Sequence, residues 1–72
     1  MPDWVHPRRR DIGVQLRAAR RNAGLTQFQL AERIGREHKT ISRWENAHSV
    51  PDLNDLLLIA DALGVELADL VR

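Results

Sequence analysis

The sequence predicts an all-α fold, five short helices in one compact domain, on three observations. Thr26 and Gln29 have the spacing of a capping box, in which a threonine hydroxyl accepts from the amide three residues on and a glutamine reaches back. Ile41 and Trp44 lie three apart, on one face of a helix whose other face is polar and cationic. A leucine-rich run from Leu53 to Leu63 is bracketed by Asp52, a good N-cap, and Gly64, a helix stop.

Met1 to Pro7 contains two prolines, one large aromatic (Trp4) and no periodicity, and reads as extended chain. Arg8, Arg9 and Arg10 follow as a compact cationic cluster. Residues 1–10 are therefore expected to form a flexible basic arm, either a grip on an anionic partner or a disordered tail whose arginines only aid solubility, and residues 11–72 the folded domain. The first helix is expected over Asp11 to Asn22, with Ile12, Leu16 and Ala19 or Ala23 as its buried stripe. Asp11 at its start and Arg20 and Arg21 near its end suit the helix dipole, and Gly24 ends it.

The second helix begins at Thr26, with Phe28, Leu30, Ala31 and Ile34 as its apolar positions. Gly35 interrupts it where the backbone needs positive φ. The third helix, residues 38–46, is held from behind by Ile41 and Trp44 while His38, Lys39, Ser42 and Arg43 look outward. After the loop Ala47 to Pro51, the fourth helix is expected to bury Leu53, Leu56, Leu57, Ile59, Ala60 and Leu63, with Leu58 pointing away. A short fifth helix, about Leu67 to Val71, returns Leu67 and Leu70 to the core.

Size and composition narrow the function. Seventy-two residues make one domain at most, and so short a chain buries only about 60% of its unfolded surface. The absence of cysteine excludes a disulfide framework and a zinc finger. No apolar run approaches the roughly 18 residues of a membrane span, and no apolar segment follows the N-terminal charges as in a secretion signal. A soluble cytoplasmic domain associated with the nucleoid is the expectation. The net charge of +1 hides an asymmetry, because Met1 to His48 carries +5 and Ser49 to Arg72 carries −4. A basic front and an acidic back orient a molecule on a polyanion.

The stretch Thr26 to Asn46 resembles the helix-turn-helix of the Cro/repressor-type (XRE) family, typified by lambdoid phage repressors. The resemblance is carried by Leu25-Thr26-Gln27, Leu30-Ala31, Gly35 and Thr40 to Asn46, and extends through Pro51 and Ala62 to Val65. It implies a lambda-repressor-like fold in which the second and third helices cross closely at Ala31. It also implies base reading from His38, Lys39 and Arg43 and a phosphate contact from Gln27 at the start of the second helix. An ion pair between Arg20 and Glu45 is implied as well, worth only about 0–1 kcal/mol if exposed.

The side chains suit such a role. Arg43 or Lys39 can pair with guanine O6 and N7, His38 can donate to guanine or phosphate, and Ser42 lies one turn on. Glu37 can accept from cytosine N4 or cap the helix. Arg17, Asn46 and His48 are further phosphate candidates, with Arg8, Arg9 and Arg10 behind them.

Three positions depart from the family pattern. Arg36 stands where an apolar residue commonly packs in the turn. Glu37 replaces a Ser or Thr cap. Ala47 replaces the glycine that usually ends the third helix, leaving Asn46 as the expected left-handed residue.

Enzyme chemistry is not expected. The histidines lack HxxxH spacing, there is no Gly-rich phosphate loop, and Ser42 near His38 is an accidental pair. Nor do His38 and His48 find a carboxylate or cysteine to complete a metal set, so no metal or cofactor is expected. The expected function is a sequence-specific double-stranded-DNA-binding transcriptional regulator, a repressor, bound as a homodimer to an inverted repeat. Dimer contacts are expected from Ala47 to Val50 and Leu67 to Val71. The alternative is an antitoxin or adaptor module that uses the same fold to bind a protein partner, with Leu58 and the acidic back half as its surface.

Overall fold

The computed structural model describes all residues, Met1–Arg72. Its five helices are α1 (Val5–Asn22), α2 (Gln27–Ile34), α3 (His38–Glu45), α4 (Leu53–Leu63) and α5 (Leu67–Val71). α3 packs against α2 and α1, α4 packs beneath α2, and α5 closes the bundle against α1 and α4. Leu16, Leu30, Ala31, Ile34, Ile41, Trp44, Ile59, Ala60, Leu63 and Leu70 make one continuous core. Every helix contributes to it. No helix is long and apolar enough to cross a membrane.

The largest departure from the sequence expectation is at the N-terminus. Residues 5–10 are not an extended arm; they are the first turns of α1, which therefore starts at Val5 and not at Asp11. Pro7 permits this because it occupies the first turn, where an amide has no intrahelical acceptor to lose. Asp11 consequently lies within the helix, 3.6 Å from Arg8 one turn earlier. Arg8 in turn reaches the other end of the chain. Its Nη2 donates to the Val71 carbonyl at 2.8 Å and its Nη1 to that of Arg72 at 3.3 Å, satisfying acceptors that the end of α5 leaves open.

Local signals set the inner boundaries. The capping box at Thr26 is formed in both directions, at 3.1 Å and 2.8 Å. Asp52 caps α4 in the same way through Asp55. Gly35 ends α2 in the left-handed region at φ 70°, which turns the chain sharply into α3. Glu37 occupies the N-cap of α3 without a side-chain capping bond.

Two expectations about burial are corrected. Phe28 is not a core residue: it is 64% exposed, although Leu30, Ala31 and Ile34 are buried as expected. Leu53 and Leu57 are likewise exposed, together with Leu58, and α4 meets the core through Ile59, Ala60 and Leu63 with Leu56 packed at its edge. In α1 it is Ala19, not Ala23, that joins Leu16 and Ile12 against the core.

Candidate nucleic-acid interface

α3 is fixed from behind and free in front. Ile41 and Trp44 are 1% and 5% exposed and plug it into the core. About half a turn round, Lys39 and Arg43 are exposed and take part in no ion pair or side-chain hydrogen bond. His38 and Ser42 are half-buried on the same side. The four candidate base-reading residues thus share one open surface.

The far end of α3 is anchored by charge. Arg20 Nε donates to Glu45 Oε2 at 2.7 Å and Arg20 Nη2 to Oε1 at 3.0 Å, a bidentate pair. The guanidinium also donates to the Leu25 carbonyl, and Gln27 Nε2 donates to Glu45 Oε1 at 3.2 Å. One carboxylate therefore ties α3 to the end of α1 and the start of α2. The sequence suggested an exposed, weak pair, but the two side chains are only 9% and 3% exposed. Removing one partner of such a buried pair strands the other charge, which costs about 3–5 kcal/mol.

The Arg20 pKa is raised, first by its hydrogen bond to Glu45, with burial opposing and the Glu45 charge adding. A group whose folded-state pKa is raised contributes fully below its unfolded value and loses that contribution only as pH climbs through the folded one. The pair therefore holds across all neutral and mildly alkaline pH.

The turn before α3 is secured by a second pair that sequence reasoning missed. Arg36 donates from Nε and Nη2 to Asp55 Oδ1, at 3.1 Å and 2.7 Å. Asp55 is the same carboxylate that completes the capping box of α4. The Asp52–Asp55 spacing was a legible sign of the cap, whereas nothing local tied Asp55 to Arg36.

α3 ends in a Schellman arrangement, with the Ala47 amide donating to the Trp44 carbonyl and the His48 amide to that of Arg43. The left-handed residue is Ala47, at φ 59°, and not Asn46. Asn46 keeps φ −96° and folds its side chain back, donating to the Ser42 carbonyl at 2.8 Å.

The phosphate candidates separate into engaged and free groups. Gln27 is half-buried and spends its side-chain amide on Glu45, but the backbone amides of Gln27 and Phe28 precede any intrahelical acceptor and stay open. Arg8 is committed to the end of α5 and is not a free arm residue. Arg9 is partly buried, with its Nε lacking a partner. Arg10, Arg17 and His48 are exposed. Arg10 and Arg17 share a face of α1 with Gly13, which abuts the Trp44 and Glu45 carbonyls, so both flank the last turn of α3. No three His, Cys, Asp or Glu side chains gather as a metal set.

A capped helix, a glycine turn and a second helix with a free cationic face define the helix-turn-helix class. Residues 11–72 match the family described as the helix-turn-helix domain, and the chain belongs to it. That span leaves out the basic segment that opens α1. Among solved structures, the clp gene regulator ClgR from C. glutamicum is similar, with 28% identity and a TM-score of 0.82 over 88% of this chain and 82% of that one. No curated protein matches the sequence. The Cro/repressor-type resemblance carried by residues 25–46 agrees with both findings.

Proposed function

We propose that this protein is a sequence-specific double-stranded-DNA-binding transcriptional regulator that places α3 in the major groove. The observation that carries the reading is the pair Lys39 and Arg43, exposed and without internal partners on a helix pinned at both ends. A fixed helix with unspent cationic donors can meet guanine O6 and N7 without reorganising first. Lys39 and Arg43 read bases, with His38 and Ser42 beside them. The open amides at the start of α2, around Gln27, take a phosphate at a helix N-terminus. Arg10, Arg17, Asn46 and His48 contact the backbone further along.

The protein acts as a repressor, bound as a homodimer to an inverted repeat whose half-sites are about one helical turn apart. The similarity to a clp gene regulator supports regulation of transcription as its role. Its place is then the cytoplasm, on the nucleoid. Leu70 is buried in the core and Val71 packs against it, whereas Leu67, expected in the core, is only half-buried and does not join it, so a dimer contact draws on exposed Val50 and the neighbouring Leu53 more than on α5.

Selection from random duplex DNA tests the reading directly. The wild-type protein should enrich a defined site, and Lys39→Ala with Arg43→Ala, still folded by circular dichroism, should lose about 1–3 kcal/mol per base contact together with preference at those positions. Undiminished affinity and preference in the double variant would overturn it. A second reading, an antitoxin or adaptor that binds a protein, is favoured by the exposed Leu53, Leu57 and Leu58 on α4. It would gain if duplex binding were absent or insensitive to salt while a protein partner was retained.

A further inference from the structure

Phe28 is the only phenylalanine in the chain, and it is left in solvent beside the proposed reading surface. Its ring lies over the imidazole of His38, with centroids 4.0 Å apart and planes inclined by 19°. Phe28 belongs to the first turn of α2, one residue after Gln27, and His38 opens α3. The stack therefore bridges the two helix N-termini that are aimed at DNA. A core role does not account for it, since 64% of Phe28 is exposed and it is not part of the core cluster.

The chemistry of the imidazole explains what such a stack does. Both ring nitrogens, and hence its donor and acceptor, lie in the ring plane. A partner on the π face removes rotamer freedom while leaving the polar edge free. His38 makes no side-chain hydrogen bond or ion pair within the chain, so that edge is unspent. Without Phe28, the ring at the exposed start of a helix would sample several orientations and lose entropy on meeting a base. With it, the edge is already directed.

We infer that Phe28 is a positioning residue for base recognition: by stacking on His38 it fixes the orientation in which His38 reads its base pair. This rests on the DNA-reading role proposed above and deepens it, because it makes part of the sequence preference depend on a residue outside α3.

The test compares affinities of the wild type, Phe28→Ala, His38→Ala, the double variant and Phe28→Trp on the selected duplex and on its complete set of single-base-pair substitutions. Phe28→Ala should leave the domain folded, with no more than the small loss of thermal stability that one exposed aromatic pair represents, and reduce discrimination about two- to tenfold, the range set by ordering one freed side chain on binding. That loss should fall only at the base pair whose preference His38→Ala also removes. It should vanish in the His38→Ala background, and Phe28→Trp, which keeps a stacking surface, should restore it. The inference is overturned if Phe28→Ala matches the wild type, weakens all sequences alike, or acts equally when His38 is absent. It also falls if no base pair answers to His38. Failure of the underlying reading is separately visible, since the wild-type protein would then select no duplex.

Discussion

Gly13 lies in the interior of α1, where helix propensity alone favours alanine over glycine by about 1 kcal/mol. Packing reverses that preference. A Cβ at this position would come within 2.6 Å of the Glu45 carbonyl oxygen and 2.9 Å of the Trp44 carbonyl oxygen, both backbone atoms that cannot rotate aside. Gly13→Ala should therefore destabilise the domain by about 1–3 kcal/mol, the usual cost of overpacking, despite the gain in propensity. Urea unfolding reads this directly, and an unchanged or raised midpoint would show that α1 can back away from α3. The sign of this one substitution reports how tightly the end of α3 is clamped. A glycine inside a helical pattern is the kind of residue that marks a close approach, but its partner was beyond reach of the sequence. Glu45 and Trp44 are far along the chain, and only the fold brings their carbonyls to Gly13. Arg20–Glu45 was reachable for a different reason: both charges stand at family positions, although their burial, which sets their energetic weight, was not.

At the scale of elements, what could be read in the sequence was whatever is decided within a few residues. The capping box at Thr26, the Asp52 cap, the Gly35 turn and helices α2 to α5 fall where local spacing puts them, because each depends on groups three or four positions apart. Phe28, Leu53 and Leu57 were misplaced because periodicity gives a direction around a helix and not how far a neighbour extends along it. α1 was cut short because prolines read as extended chain unless they fall in a first turn. The end of α3 offers a prediction at this scale. Its Schellman closure needs a left-handed residue after Asn46, and Ala47 fills that place at φ 59°. A non-glycine residue there costs roughly 1–2 kcal/mol, whereas glycine bears no such cost and loses somewhat more chain entropy on folding. Ala47→Gly should then stabilise the protein by about 1 kcal/mol, seen as a rise in thermal midpoint. Duplex affinity should be little changed, since none of the side chains proposed to contact bases is altered. A lower midpoint would mean that the loop after α3 holds Ala47 by contacts that outweigh its backbone strain.

Over the whole molecule, charge is divided by sequence half, but internal pairing decides which charges remain available. Arg20 and Arg36 neutralise Glu45 and Asp55, and Arg8 is spent on the end of α5. Arg17, Lys39 and Arg43 keep their charge for an external anion, all three exposed and unpaired. Binding that releases counterions from DNA gives a log–log salt dependence with slope about −0.9 per phosphate neutralised. Counting formal charge treats every arginine in the basic half alike, whereas the pairing pattern separates them. Arg17→Ala should flatten the slope by about 0.9, reducing affinity for all duplex sequences equally, because a phosphate contact carries no base information. Arg8→Ala should leave the slope in place and instead lower the unfolding midpoint, because it removes donors from open carbonyls. Titrating both variants against the selected duplex between 50 and 200 mM salt, roughly the range over which such contacts reveal themselves, compares them in one experiment. If Arg8→Ala flattened the slope as much as Arg17→Ala, the α1–α5 contact would have to open on DNA, and Arg8 would join Arg10 and Arg17 as a phosphate contact.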